Sequence, residues 1–146
     1  MATTNVRWSV VNRLLTNLRS SPEMAGVLIE PGWPGDRVKP ETIWVDFLGG
    51  PVSIPVMKAG RKERDDNFDI PLEIRVANNT SLDLTMARLT ELVAAVEDIL
   101  ADDPSLDDLE GVIDAEITNE RMTCAETREG HLGFAEVVVS VHSRLL

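Results

Sequence analysis

Apolar residues recur along this chain with two different periods, and the switches between them divide it into elements. Val10, Val11, Leu14, Leu15 and Leu18 fall at three- and four-residue intervals, with Arg7, Arg13, Asn17 and Arg19 between them, which predicts an amphipathic helix. Thr3, Thr4 or Asn5 supplies a capping oxygen. Ser20-Ser21-Pro22 ends the helix, because proline disfavours helical backbone in the residue before it. A second helix is predicted to start at Asn79, Thr80 or Ser81. Asp83 in its first turn suits the positive end of the helix dipole. Its apolar stripe is Leu82, Met86, Leu89, Leu92, Val93, Val96, Ile99 and Leu100, and Asp102-Asp103-Pro104 stops it.

Between and after these helices the period shortens to two. Gly26 to Ile29 reads as a short buried strand running into Pro31-Gly32-Trp33-Pro34-Gly35, where turn residues crowd together. Ile43, Val45 and Phe47 alternate on one face. Gly49-Gly50 then predicts a tight turn into Val52, Ile54 and Val56, so these arms read as a hairpin. Pro51 and Pro55 each remove a ladder donor and place the second arm at a sheet edge. Lys58 to Asp66 reads as a charged loop. Phe68, Ile70, Leu72, Ile74 and Val76 then alternate with Asp69, Glu73 and Arg75, which predicts a strand with one face packed and the other wet or partnered. Val112 to Thr118 and Phe134 to Leu145 predict two closing strands, with the polar stretch Asn119 to His131 turning the chain back. No repeat, linker or low-complexity tract interrupts the pattern. The expectation is one α+β domain over residues 1–146, a two-layer arrangement of two amphipathic helices on a mostly antiparallel sheet.

Composition narrows the function. The 146 residues are 43% hydrophobic and 27% charged, and aromatic residues make up only 4%, so the core is expected to be aliphatic. A formal charge of −11 argues against nucleic-acid binding and anionic membranes, whose affinity comes from cations neutralising phosphates. The single cysteine, Cys124, permits no intrachain disulfide, and residues 1–5 show no signal-peptide pattern. No apolar run approaches the ~20 residues of a membrane helix. The reading is therefore a soluble, untargeted protein that folds in an intracellular compartment.

A search for reactive chemistry returns little. Gly32, Gly35, Gly49 and Gly50 do not lie between a strand and a helix as a phosphate cradle requires. Cys124 and His131, with Glu126, are the one set that a hairpin would bring toward metal-ligand geometry; the plainer reading is a thiol and a polar turn histidine. His142 is expected to be exposed or at a subunit contact. Glu91, Glu97, Asp98, Asp102 and Asp103 read as a solvated helix face. No catalytic residue, cofactor or metal site is expected, and the chain is read as a non-enzyme. Two features stand out. The run Lys58-Ala59-Gly60-Arg61-Lys62-Glu63-Arg64-Asp65-Asp66 holds the densest basic cluster in an acidic protein, either a solvated loop or a contact with an acidic neighbour, and its acids keep it from reading as a nucleic-acid site. Trp33 in its Pro/Gly loop is either tucked over the core, which the flanking prolines favour, or offered to a partner as a hot-spot residue. Trp8 and Trp44 are expected in the core or at its rim.

In order and size these segments resemble the tail terminator (tail completion, or minor tail) proteins of long-tailed bacteriophages. The likeness is carried by the amino-terminal helix ending at Ser20-Ser21-Pro22, the Pro/Gly segment, the strand Ile43-Trp44-Val45 and the basic loop. It continues through the alternating strand Phe68 to Val76, the helix Leu92-Val93-Ala94-Ala95-Val96-Glu97-Asp98-Ile99-Leu100, and the closing strand Ala135 to Val141. The resemblance implies a virion protein at the head-proximal end of the tail: a homo-hexameric ring that caps the tail tube, halts its polymerisation and meets the head-tail connector. It implies the tail tube protein and the connector as partners, and DNA passing through without specific binding. Arg61, Lys62, Arg64 and Trp33 would then be subunit or tube contacts. Another phage neck or head-completion protein is the alternative, since such proteins share similar folds. An enzyme or small-ligand binder is the remaining class.

Overall fold

A computed structural model gives the fold and describes residues 4–46, 64–78, 80–106, 109, 112–128 and 130–145. The predicted hairpin arms and turn at 47–56, and with them Pro51, Pro55, Arg61 and Lys62, lie outside the described residues. Helix α1 spans Thr4–Ser20 and helix α2 spans Leu82–Asp102. The strands are β1 (Leu28–Glu30), β2 (Glu41–Val45), β3 (Arg64–Asn78), β4 (Val112–Thr127) and β5 (Gly130–Leu145). They form one five-stranded sheet in the order β1-β2-β3-β5-β4. Among the described strands only β1 and β2 run parallel, and every other neighbouring pair is antiparallel. This is an α+β fold with both helices on one face of a mixed sheet.

The helices form where the period predicts them. Val10, Val11, Leu14, Leu15 and Leu18 of α1 are all buried. Along α2, Leu89, Leu92, Val93, Ala95, Val96 and Leu100 are buried, and Thr85 replaces Leu82 at the start of the stripe. Ser81 is the cap: its hydroxyl accepts from the Leu84 amide at 3.1 Å. These stripes meet Ile43 and Val45 of β2, alternate residues of β3 from Phe68 to Val76, and Ala135, Val137, Val139 and Val141 of β5 in one aliphatic core.

Polar contacts then fix the helices over the sheet. Arg19 donates through Nε and Nη2 to the Ile29 carbonyl at 3.2 and 2.7 Å, which ties the end of α1 to β1. Arg88 of α2 grips the Glu41 carboxylate of β2 through two bonds, Nε at 2.7 Å and Nη2 at 3.1 Å. Gly133 of β5 lies directly under α2. A Cβ there would stand 3.2 Å from Thr85 Cγ2 and 3.3 Å from Leu89 Cδ2, so glycine sets how closely the helix approaches.

Three expectations change. Arg64, Asp65 and Asp66 begin β3 and are not part of a loop, since pairing with β5 continues to Arg64↔Leu145. Residues 119–131 are not a long turn: β4 runs to Thr127 and β5 resumes at Gly130. Residues 118–127 of β4 are exposed on both faces, so they carry no amphipathic alternation for a sequence reading to detect. Trp8 is 49% exposed, a surface residue of α1 and not a core one. Leu106 is fully buried in the turn after α2 with φ 53, a left-handed backbone unusual for leucine.

Candidate assembly face

Among the described residues α1 and α2 both lie on one side of the sheet, and neither covers the other side, the open face. Strand register lays out this open face in transverse rows. Alternation assigns Ile43, Leu72, Ile74, Ala135 and Val137 to the helix side, which turns Trp44, Glu73 and Glu136 to the open side. The pairing places Trp44 of β2 beside Glu73 of β3, Glu73 beside Glu136 of β5, and Glu136 beside Arg121 of β4. The adjacent row runs Thr42, Arg75, Phe134 and Thr123. On the other side of the Glu row, Pro71, Val138 and Asn119 follow. The next row is held by hydrogen bonds: Ser140 Oγ donates to Asp69 Oδ1 at 2.7 Å and lies 2.7 Å from Thr118 Oγ1.

The connection from β1 to β2 is only residues 31–40, short for a parallel return, and it brings Trp33 onto the open face. Its ring meets Trp44 edge-on, with centroids 4.8 Å apart and planes at 65°. Trp33 is still 56% exposed, so it is not tucked over the core. It extends an aromatic ridge that water reaches.

At the centre of the face, two carboxylates abut. Glu73 is half-buried, and its pKa is raised from 4.5 to about 7. Burial is the first cause. The charge of Glu136 and a shared hydrogen bond with it follow, and Asp46 at the end of β2 adds a further negative charge. Among the described residues no ion pair joins Glu73 or Glu136 to a cation. Arg75, two residues along β3, instead donates Nη1 to the Lys39 carbonyl at 3.0 Å.

The other candidates separate. Cys124 is exposed and pairs with Gly133, while His131 pairs with Glu126. His131 Nδ1 lies 3.8 Å from Glu126 Oε1, beyond hydrogen-bond range. Among the described residues no group of three His, Cys, Asp or Glu side chains is placed to hold a metal ion. His142 is half-buried on the open face between Asn67 and Asp114. Glu97 on α2 hydrogen-bonds Glu120 on β4, which raises the pKa of Glu120. These two residues border a groove of about 340 Å³ between the helix end and the edge strand. No described helix is long and apolar enough to cross a membrane.

Of the residues singled out from sequence, Trp33 falls on the open face and the backbone of Arg64 starts β3. Trp44, Glu73 and Glu136 were not singled out. Their signal was present as polar positions inside alternating strands, but only the register joins them.

No protein-family model matches the chain, and no curated protein matches its sequence. Its fold is that of a chain in the solved virion of a native gene transfer agent particle, with a TM-score of 0.62 at 12% identity. The match covers 92% of this chain and 94% of that one.

Proposed function

We propose that this chain is a structural subunit of a phage-like particle and acts as the tail terminator. It caps the tail tube as a ring, stops tube polymerisation and presents the surface that joins the tail to the head-tail connector. The observation that carries this reading is the end-to-end match in fold to a chain of a gene transfer agent virion. A match over nearly the whole of both chains means that the domain itself is the shared unit. The sheet face that neither α1 nor α2 covers, with its Trp33–Trp44 ridge, supports assembly as the domain's use. In this reading the chain catalyses no reaction. A charge of −11 per subunit suits a ring through which DNA passes without adhering. Trp33 and the cluster Arg61, Lys62 and Arg64 are contacts to a neighbour or to the tube.

The test is polymerisation of the tail tube protein with and without this chain. Electron microscopy should show tubes of limited length with added density at one end. Tubes of unchanged length, with the chain bound to isolated head connectors, would replace this reading with that of a head-completion protein. Charge reversal at Arg61, Lys62 and Arg64 should abolish capping while the circular dichroism of the monomer stays unchanged.

A further inference from the structure

We infer that the open sheet face around Glu73 and Glu136 is the receptor for the basic segment, Arg61 and Lys62, of a second copy of this chain. The inference rests on the reading of the chain as an assembling subunit and names the surfaces that meet.

Charge complementarity is the first ground. The face centres on Glu73, Glu136 and Asp46, while residues 58–64 carry four of the chain's fourteen basic residues. Carboxylates on a partly desolvated, aromatic-bordered surface are suited to a guanidinium or ammonium group, which neutralises them and lies against the Trp44 ring.

Reach is the second ground, and it excludes the chain's own Arg61 and Lys62. Glu73 lies nine residues along β3 from Arg64, which at ~3.3 Å per residue is about 30 Å. Arg61 and Lys62 precede Arg64 by three and two residues. Even fully extended backbone carries them only about 11 and 7 Å from it. The remaining distance of about 20 Å is too long for a side chain to span. Arg61 and Lys62 therefore cannot reach Glu73 of their own chain, and a contact between them is head-to-tail between two copies.

Protonation tunes the contact. Glu73 faces Asp46 from the end of β2 and Glu136 from β5, with Arg75 beside it on β3 and Arg121 beyond Glu136 on β4. With its pKa raised to about 7, Glu73 must lose its proton before it can pair with a cation. Self-association should then be about tenfold weaker at pH 6 than at pH 8. Overall charge predicts the opposite sign, because the repulsion between acidic copies lessens as pH falls.

The experiment mixes full-length unlabelled and ¹⁵N-labelled chain, adds tube protein in a parallel arm, and treats both with carbodiimide, which joins an amine to a carboxylate in contact with it. The expected product is an inter-copy peptide linking Lys62 to Glu73 or Glu136. It should be lost in Glu73→Gln/Glu136→Gln, and also in Lys62→Arg, which keeps the charge and removes the amine. Sedimentation at pH 6 and pH 8 supplies the pH comparison, and circular dichroism checks that each variant folds. Inter-copy products that join other residues and survive Glu73→Gln/Glu136→Gln would overturn this contact and leave the assembly role standing. No inter-copy product in either arm would overturn both. Association that strengthens toward pH 6 would also sink the contact.

Discussion

Replacing Glu73 with glutamine should make the protein more stable at neutral pH and leave it nearly unchanged in mild acid. The folded chain holds the Glu73 proton up to about pH 7, whereas an ordinary carboxylate releases it near 4.5. Between these values the folded state binds more protons than the unfolded state, so this group's contribution to stability falls as pH rises. The penalty is absent well below 4.5 and complete above about 7. Taken at full value, the interval corresponds to about 3.4 kcal/mol, at 1.36 kcal/mol per pH unit. Water reaches the half-buried group and screens it, which brings the expected gain to about 1–2 kcal/mol. Glutamine keeps the shape and a hydrogen bond to Glu136 without the charge. Urea unfolding followed by far-ultraviolet circular dichroism, at dilutions that keep the chain monomeric, measures the difference through the midpoint at constant slope. At pH 8 the variant should be more stable by that amount, and at pH 4 by less than about 0.5 kcal/mol. Equal effects at both pH values, or a loss at pH 8, would show that Glu73 is not strained by its acidic neighbours.

Two further substitutions probe how α2 is seated. Arg88→Ala removes both bonds to Glu41 and leaves that carboxylate partly buried without its cation, so unfolding should become easier by about 1–3 kcal/mol in the same urea assay. Gly133→Val places a β-branched residue in a strand, where propensity favours it, yet its Cβ would meet Thr85 and Leu89 at 3.2 and 3.3 Å. Overpacking should prevail and cost about 1–3 kcal/mol, read as a lower melting temperature.

Helix positions were legible from sequence because their stripes bury against one core; Leu14, Leu18, Leu89, Leu92 and Val96 lie where the 3.6-residue period puts them. Phe68 to Val76 was legible for the same reason at period two. The segment 119–127 was not, because each residue of a strand exposed on both sides can be polar, and polarity without a period reads as loop. The extension of β3 back to Arg64 was hidden for a related reason. Its register comes from β5, and Arg64-Asp65-Asp66 carries no apolar alternation. The candidate face was the least visible part. Glu73 and Glu136 lie 63 positions apart, and neither neighbourhood distinguishes an ordinary solvent-facing glutamate from one pressed against another. Trp33 was visible as an unusual loop residue, but its contact with Trp44 depends on how the short parallel connection crosses the sheet.

The two sides of the sheet differ in how completely the isolated chain satisfies them. On the helix side the core closes: the apolar stripes are buried and Arg19 and Arg88 find acceptors. On the open side the paired glutamates lack a cation among the described residues, and Trp33 remains largely in water. The edge strand β4 extends through residues 118–127 with both faces exposed. A long strand edge with no further strand beside it among the described residues, and a carboxylate pair with no described cation, each cost the monomer something, and each is relieved by a neighbour that supplies protein surface or positive charge. Substitutions should therefore divide by side. Those under α1 and α2 should shift unfolding and leave association in proportion to the folded fraction. Those in the row from Trp33 to Arg121 should alter association while the monomer unfolds as before, or, for Glu73, more reluctantly. A side of the molecule whose disruption stabilises the single copy is hard to explain by folding, and is expected of a surface fitted to something outside it.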